Sequence, residues 1–230
     1  MNIELLTALN EARAAKRRVC LVRYLHDGAE ALVVDGQTVR GEVPADVGAA
    51  VDTALRRDQS TSSETSRGRT FLQVFNPPLR LIVIGAVHIA QALAPIASLA
   101  GYQVTVIDPR RAFATDSRFP DVAMNGDWPD EAMTALMPDR RTGVVALTHD
   151  PKIDDPGLDV ALRSDAFYIA ALGSRRTHAG RLERLAALGH DGATLARIHG
   201  PAGIDIGAVS PAEIAISVMA ELTRALRQPG

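Results

Sequence analysis

Residues 79–93 read LRLIVIGAVHIAQAL, and this stretch decides the fold. The first eight residues, 79–86, form a nearly unbroken apolar run, which is typical of a strand buried on both faces of a parallel sheet. A helix is predicted over 88–100, and Gly101 is a suitable residue to follow its end. Another apolar run, 102–108, predicts a second buried strand. These elements form the beginning of a strand–helix–strand unit.

The same alternation continues towards the end of the chain. Further strands are predicted over 121–125, 143–150 and 166–174, and helices near 129–137, near 155–163, up to about 188, over 191–198 and over 210–226. The last helix has a well-specified start, because Ser210, Pro211 and Glu213 give an N-cap, a proline in the first turn and the S-x-x-E pattern. The sequence therefore predicts an α/β fold with a doubly wound, mostly parallel, Rossmann-like sheet over 79–230.

A different organisation is predicted upstream, over 1–78. Asn76-Pro77-Pro78 makes a stiff, extended joint, because proline fixes φ and restricts the residue before it. Before this joint lie a predicted helix, two short strands, a second helix and a strand at 70–75, which suggests a small α+β N-terminal domain. Residues 58–69, DQSTSSETSRGR, are rich in Ser and Thr and are predicted to be a mobile loop.

Composition excludes several classes of protein. The 230 residues carry a net charge of −2, so we do not expect the basic face of a nucleic-acid-binding protein. The longest apolar runs are well short of the ~20 residues needed to cross a bilayer, so we do not expect a membrane protein. The single cysteine, Cys20, allows no internal disulfide, and the histidines lack the spacing of metal ligands. The N-terminal pattern is polar and amphipathic rather than that of a signal peptide, so the expected location is cytoplasmic.

Arginine dominates the basic residues, since only Lys16 and Lys152 are lysines. The excess is consistent with a coding bias, but arginine is also the better residue for gripping a planar or bidentate anion. Arg56, Arg57, Arg184 and Arg227 fall on predicted outer helix faces and need no function. The arginines at predicted strand ends are the candidates for an anion site.

The loop after the first buried strand is a degraded dinucleotide fingerprint. In place of G-x-G-x-x-G/A the chain has G-A-V-H-I-A, beginning at Gly85. Val87 occupies the position at which a second glycine would let a pyrophosphate approach the backbone. Asp108, followed by Arg110, stands where a ribose-binding acid is expected. NAD(P) binding and a simple packing turn are both compatible with this motif.

The stretch Gly173-Ser174-Arg175-Arg176 gives a stronger signal, because it places two arginines at a predicted helix N-terminus. Free backbone N–H groups and the helix dipole favour an anion there, although an exposed cap with surface arginines would have the same sequence. His149-Asp150 follows another strand and could contribute hydrogen bonds to a pocket. We predict no catalytic triad, because Ser174 lacks the G-x-S-x-G context.

Five motifs occur in the order found in the XdhC/CoxI family of xanthine dehydrogenase accessory factors, which the chain resembles. They are LRLIVIGAVHIAQAL, VIDPRRAFATDSRFPD, ALTHDPKID, YIAALGSRRTHAGRLERL and RIHGPAGIDIGAVSPAEIAISVMAEL. The resemblance covers about 79–227 and implies a Rossmann-type domain that binds the molybdenum cofactor (molybdopterin) as cargo. It further implies assistance in sulfuration and insertion into an apo molybdenum hydroxylase, contact with a cysteine desulfurase, a homodimer, and a chaperone rather than an enzyme.

The resemblance also implies a set of cofactor-binding residues and no catalytic or metal-binding residues. The set comprises Gly85, His88, Asp108, Arg110, His149, Asp150, Gly173, Ser174, Arg175, Arg176, His199, Gly203 and Asp205. Two features depart from the family pattern, namely Val87 in place of a glycine and the lack of a Gly-rich, cysteine-bearing stretch in 1–78. An NAD(P)-dependent oxidoreductase and an assembly protein with a vestigial pocket are the alternative hypotheses.

Overall fold

The computed structural model describes residues 3–110 and 118–228. The chain divides into two compact units, Met1–Pro77 and Pro78–Gly230. Among the described residues, no helix is long and apolar enough to span a membrane.

The first unit is a five-stranded antiparallel sheet with a helix packed on each face. The order is β3-β2-β1-β5-β4, and the elements are α1 (Ile3–Ala14), β1 (Val19–Tyr24), β2 (Glu30–Val34), β3 (Gln37–Arg40), α2 (Ala45–Arg57), β4 (Thr61–Thr65) and β5 (Gly68–Phe75). Neighbouring residues of β1 point to opposite faces, so Leu21 packs with α1 while Cys20 and Val22 pack with α2. Coverage on both faces explains why β1 is apolar over most of its length.

The prediction of a mobile loop over 58–69 is wrong. Residues of this stretch form the edge strand β4 and the beginning of β5, joined in an antiparallel hairpin. The side chains of Thr65 and Thr70 lie with their hydroxyl oxygens 2.9 Å apart, and Ser66 donates from its backbone N–H to Asp46 at 2.7 Å. Backbone pairing and polar side-chain contacts form this hairpin, so an apolar pattern is not required.

The second unit is a six-stranded sheet in which the strand pairs are parallel. The order is β11-β10-β9-β6-β7-β8, built from β6 (Leu79–Ile84), β7 (Tyr102–Ile107), β8 (Ala123–Asn125), β9 (Thr142–Ala146), β10 (Tyr168–Ala171) and β11 (Ile198–His199). Numbered from β6, this is the 3-2-1-4-5-6 order of a Rossmann sheet. The predicted α/β doubly wound fold is therefore confirmed.

Helices cover both faces of the parallel sheet. They are α3 (His88–Leu99), α4 (Pro129–Leu136), α5 (Pro151–Leu162), α6 (Arg175–Ala187), α7 (Gly192–Leu195) and α8 (Pro211–Arg227). One core cluster joins the sheet to α3 and α8, and the other joins it to α4, α5 and α6. The central strand β6 serves both clusters, since Leu81 and Val83 face the first while Ile82 and Ile84 face the second.

Candidate functional site at the carboxyl ends of the parallel strands

The chain reverses its winding direction between β6 and β9, and in doubly wound sheets this is where ligands bind. Gly85 follows β6 with φ +108°, and Thr148 lies in the loop after β9. A Cβ atom on Gly85 would collide with the methyl group of Thr148. Glycine at this position therefore allows the two loops of the predicted crevice to approach each other closely.

Asp108 fastens the loops after β6 and β7 together. Its carboxylate is fully buried and accepts hydrogen bonds from the Ala86 N–H at 2.8 Å and from the Arg110 N–H at 2.9 Å. The Arg110 guanidinium adds a two-pronged contact through Nε at 2.9 Å and Nη2 at 2.8 Å. Burial would raise the pKa of Asp108, but the hydrogen bonds from Arg110 and Ala86 hold it below the ordinary value. Both oxygens of the expected ribose-binding acid are thus engaged within the protein.

The first turn of α3 lies at the same edge of the sheet. His88 is exposed and begins the helix, while Val87 is the N-cap residue and provides no side-chain hydrogen bond. The backbone N–H groups of this turn consequently receive no cap from the N-cap side chain. The arginine that follows Arg110 in the second motif, together with the residues up to 117, lies outside the described residues.

The loop after β9 is organised by a buried aspartate that sequence reasoning missed. Asp154 is 1% exposed and accepts hydrogen bonds from the Thr148 hydroxyl at 2.7 Å and from the His149 N–H at 3.0 Å. Burial raises the pKa of this carboxyl above the ordinary value despite these bonds. His149 is exposed and has φ +63°, and Asp150 caps α5 by accepting from the Lys152 N–H at 3.0 Å.

The start of α6 lies beside this loop. Ser174 is the N-cap residue, and its hydroxyl accepts from the Thr177 N–H at 3.2 Å. A Cβ atom on Gly173, which has φ +139°, would lie 3.6 Å from Nδ1 of His149, so the ring of His149 is next to this glycine. The side chains of Arg175 and Arg176 are exposed. The structure thus brings His149 to the helix N-terminus that the sequence predicted.

A cavity of about 270 Å³ opens between α5 and α6. It is lined by His149, Pro151, Asp154, Asp155, Arg176, Thr177, Gly180, Arg181 and Arg184. Two of these residues, His149 and Arg176, are predicted site residues. The prediction that Arg184 has no role on an outer face is incomplete, because its Nε and Nη2 donate to the Asp155 carboxylate at 2.5 and 3.1 Å. This ion pair forms part of the cavity wall.

Arg181 is the second important residue that sequence reasoning missed. Its side chain is 1% exposed, and Nη2 donates to the Leu172 carbonyl at 2.8 Å. The Nε and Nη1 atoms are buried and have no hydrogen-bond partner among the described residues, and Nη2 lies 3.9 Å from the carboxylate of Asp154. Helical periodicity could have located this residue, because Arg181 precedes the buried Leu185 by four positions.

His199 and Gly203 belong to a different cluster, centred on Glu221 of α8. The Glu221 carboxylate accepts from the Tyr168 hydroxyl at 2.8 Å and from the Gly203 N–H at 2.8 Å, and Nδ1 of His199 lies 3.1 Å from it. Gly203 packs so closely against α8 that an added Cβ would collide with the Ser217 hydroxyl. Neither His199 nor Gly203 lines the α5–α6 cavity.

Asp205 lies on the exposed loop between β11 and α8. Its Oδ1 atom accepts a hydrogen bond from the Gly207 N–H at 3.3 Å, which closes a local turn. Neither Asp205 nor any residue of the Glu221 cluster lines the α5–α6 cavity, so the predicted site residues do not all meet at one place.

Comparison with known proteins identifies the family. Residues 81–222 match the family described as the XdhC Rossmann domain. The chain belongs to the XdhC family. The match to the family includes all thirteen residues predicted for the site, together with the cavity between α5 and α6 and the Glu221 cluster.

Several proteins resemble the chain over its family domain. It is 33% identical over 154 residues to the uncharacterized protein YqeB of Escherichia coli K12, with coverage of 66% of this chain and 28% of the relative. It is 33% identical over 148 residues to the molybdenum cofactor insertion chaperone PaoD of the same strain, covering 64% of this chain and 40% of PaoD. A third relative, from Bacillus subtilis 168, is named as a probable subunit of xanthine dehydrogenase. It is 32% identical over 153 residues, covering 66% of this chain and 44% of that protein.

The chain spans less than half the length of these curated relatives. A crystal structure of a xanthine dehydrogenase from Bacillus halodurans aligns with all of this chain and 66% of its own, with a TM-score of 0.68 and 24% identity. This likeness shows the fold alone, and it covers both the first unit of this chain and the XdhC family domain that follows it.

Proposed function

We propose that this protein is a cytoplasmic accessory factor that binds the molybdenum cofactor as cargo and assists its insertion into a molybdenum hydroxylase of the xanthine dehydrogenase type. The observation that carries the proposal is the family match over 81–222. A relative in the matched region, 33% identical, is named a molybdenum cofactor insertion chaperone. The geometry of the carboxyl edge supplies the physical support.

The cargo is a pterin with a terminal phosphate, so a binding surface needs an anion site and polar groups for the heterocycle. The N-terminus of α6 offers the backbone N–H groups of Arg175 and Arg176, which precede the capped Thr177, and the exposed guanidinium of Arg176 for the phosphate. His88 and His149 are exposed at the same edge and can hydrogen-bond the pterin. These groups fit the chemistry of the cargo.

The same edge is poorly suited to a dinucleotide. The carboxylate of Asp108, which would hold a ribose hydroxyl, already accepts four hydrogen bonds from Ala86 and Arg110. Val87 places a side chain where a glycine would let a pyrophosphate approach. We therefore favour the pterin cargo over an NAD(P)-dependent oxidoreductase.

The proposal extends to the partners of the cargo. In this scheme the factor holds the cofactor during sulfuration by a cysteine desulfurase, works as a homodimer, and releases the cofactor to the apo-hydroxylase. The division of the chain at Pro77–Pro78 suggests that the Rossmann domain binds the cargo while the N-terminal domain has a separate role.

The test is retention of cofactor by the full chain. The protein is co-expressed with the cofactor-synthesis enzymes and purified, and bound pterin is measured by fluorescence after oxidation. We expect retention of pterin and faster activation of an apo-hydroxylase in a reconstitution assay. Replacing Arg175 and Arg176 together by alanine should reduce retention about tenfold or more, because hydrogen bonds between charged groups are the strong ones.

The matched control is Arg140→Ala. Arg140 is a surface arginine of the same unit, with a side chain 77% exposed, and its ion pair among the described residues is with the similarly exposed Asp165. This variant should retain pterin at the level of the parent protein. Absence of pterin together with no activation of the apo-hydroxylase would refute the proposal, and stabilisation by NAD or NADP in a thermal-shift titration would favour the oxidoreductase instead.

A further inference from the structure

Buried, unpartnered donors lie at the wall of the α5–α6 cavity. Nε and Nη1 of Arg181 carry three N–H groups, and none of them has a hydrogen-bond partner within the described parts of the chain. Leaving charged donors buried and unpaired is costly, and native proteins seldom tolerate it. The unpaired N–H groups of Arg181 therefore indicate a ligand whose oxygen atoms accept hydrogen bonds from them.

Asp154 does not fill that need. Its nearest approach is 3.9 Å, from Oδ2 to Nη2 of Arg181, which is too long for a hydrogen bond. The two carboxylate oxygens instead accept from the backbone N–H groups of Thr148 and His149 and from the Thr148 hydroxyl. Arg181 lines the cavity, and its Nε and Nη1 atoms have no acceptor among the described residues while Nη2 is held by the Leu172 carbonyl.

The charge around the cavity is also favourable to an anion. Three arginines and two aspartates line it, and one of each is neutralised in the two-pronged pair of Arg184 with Asp155. Asp154 is the remaining acid, and its carboxylate is already engaged by the loop after β9. Arg176, exposed at the opening, and Arg181, buried in the wall, are then the two lining cations without a hydrogen-bonded carboxylate among the described contacts.

We propose that the cavity between α5 and α6 is an oxyanion site in which Arg181 and Arg176 hold a phosphate group. The volume of about 270 Å³ accommodates one phosphate with several waters, since a water occupies roughly 30 Å³. Helices α5 and α6 both begin at the carboxyl edge of the sheet, so the positive ends of their dipoles add to the attraction for an anion.

The natural source of that phosphate is the terminal phosphate of the pterin cargo, and for this assignment the inference rests on the proposed function. The anion site itself does not depend on the cargo, because inorganic phosphate presents the same oxygens. The two ideas can therefore fail separately.

The experiment measures binding of inorganic phosphate to the full chain by isothermal titration calorimetry, with ionic strength held constant by chloride. Arg181→Lys keeps the positive charge but removes the planar fork, and we expect its phosphate affinity to fall about tenfold or more. Arg176→Gln is an exposed substitution that leaves the core untouched, and it should weaken phosphate binding in the same direction. Arg140→Lys is the matched control and should bind phosphate like the parent protein.

Each outcome decides the question. No phosphate binding by the parent protein, or equal affinity in the parent and both cavity variants, would overturn the oxyanion site. The site, with the cargo as the source of its phosphate, is supported if the parent protein binds phosphate, both variants bind it more weakly, and phosphate competes with the pterin cargo. Phosphate binding of this kind in a protein that neither retains pterin nor activates the apo-hydroxylase leaves the site standing and refutes the proposed function instead.

Discussion

Replacing Glu221 by glutamine should destabilise the second unit by about 2–3 kcal/mol at neutral pH. The carboxylate is 7% exposed and accepts from the Tyr168 hydroxyl and the Gly203 N–H at 2.8 Å each, with Nδ1 of His199 at 3.1 Å. Glutamine keeps one oxygen acceptor but places an NH₂ group at the other position. The bonds from Tyr168 and Gly203, which share one carboxylate oxygen, therefore lose the assistance of the charge, and His199 loses its acceptor. A hydrogen bond to a charged group contributes about 1.5–3 kcal/mol.

The effect should depend on pH in a defined direction. Burial would raise the pKa of Glu221, but the hydrogen bonds from His199, Tyr168 and Gly203 hold it below the ordinary value. A carboxyl whose pKa is lowered by folding stabilises the native state above the unfolded pKa of about 4.3, and this contribution is lost as pH falls towards the folded pKa. The difference between the parent and Glu221→Gln should consequently shrink below about pH 4.5.

Trp128 makes the measurement specific, because it is the only tryptophan in the sequence and lies in the second unit. Urea unfolding followed by Trp128 fluorescence at pH 7 and at pH 4 gives the free energy of unfolding of that unit. Glu183→Gln, an exposed glutamate on α6, is the control and should change this free energy by less than about 0.5 kcal/mol. A loss below about 1 kcal/mol at pH 7 would show that Glu221 does not anchor the cluster. An equal loss at both pH values would show that the stabilisation does not depend on the ionised carboxylate.

Two further substitutions test the backbone of the site by the same Trp128 assay. Gly203→Ala should lower the free energy of unfolding by about 2–4 kcal/mol, because its φ of +94° disfavours a side chain and the added Cβ would collide with Ser217. A variant as stable as the parent would show that α8 can shift to make room for the added methyl group. Asp108→Asn should lower the free energy of unfolding by about 2–3 kcal/mol. This is less than the cost of breaking a fully buried ion pair, because the Arg110 side chain is 35% exposed and can turn to water. An unchanged urea midpoint in Asp108→Asn would refute the role of this carboxylate in joining the two loops.

The strands of the second unit were predictable because burial on both faces leaves apolar runs such as 79–86 and 102–108. The loops after them were also predictable, since polar and glycine residues collect where such strands end. The edge strand β4 was not, because its hairpin depends on backbone pairing and threonine contacts that leave no apolar pattern.

The two buried charged residues in the wall of the α5–α6 cavity were not predicted, for a different reason. Charged residues on a helix are usually placed on its outer face, yet Arg181 and Asp154 are each 1% exposed. Their burial depends on how α5 and α6 pack beside the ends of β9 and β10, which is a tertiary property. Sequence spacing located the exposed lining residues His149 and Arg176, but not the buried lining residues Arg181 and Asp154.

The two-faced central strand β6 separates the unit into regions that can change independently. Leu81 and Val83 pack on the α3–α8 side, whereas Ile82 and Ile84 pack on the side of α5 and its cavity. Substitutions on opposite faces share no direct packing partners within these clusters of described residues, so the free-energy effects of those more than about 7–10 Å apart should be nearly additive. The α5–α6 cavity can therefore diversify on one side of the sheet while the α3–α8 side preserves the stability of the domain.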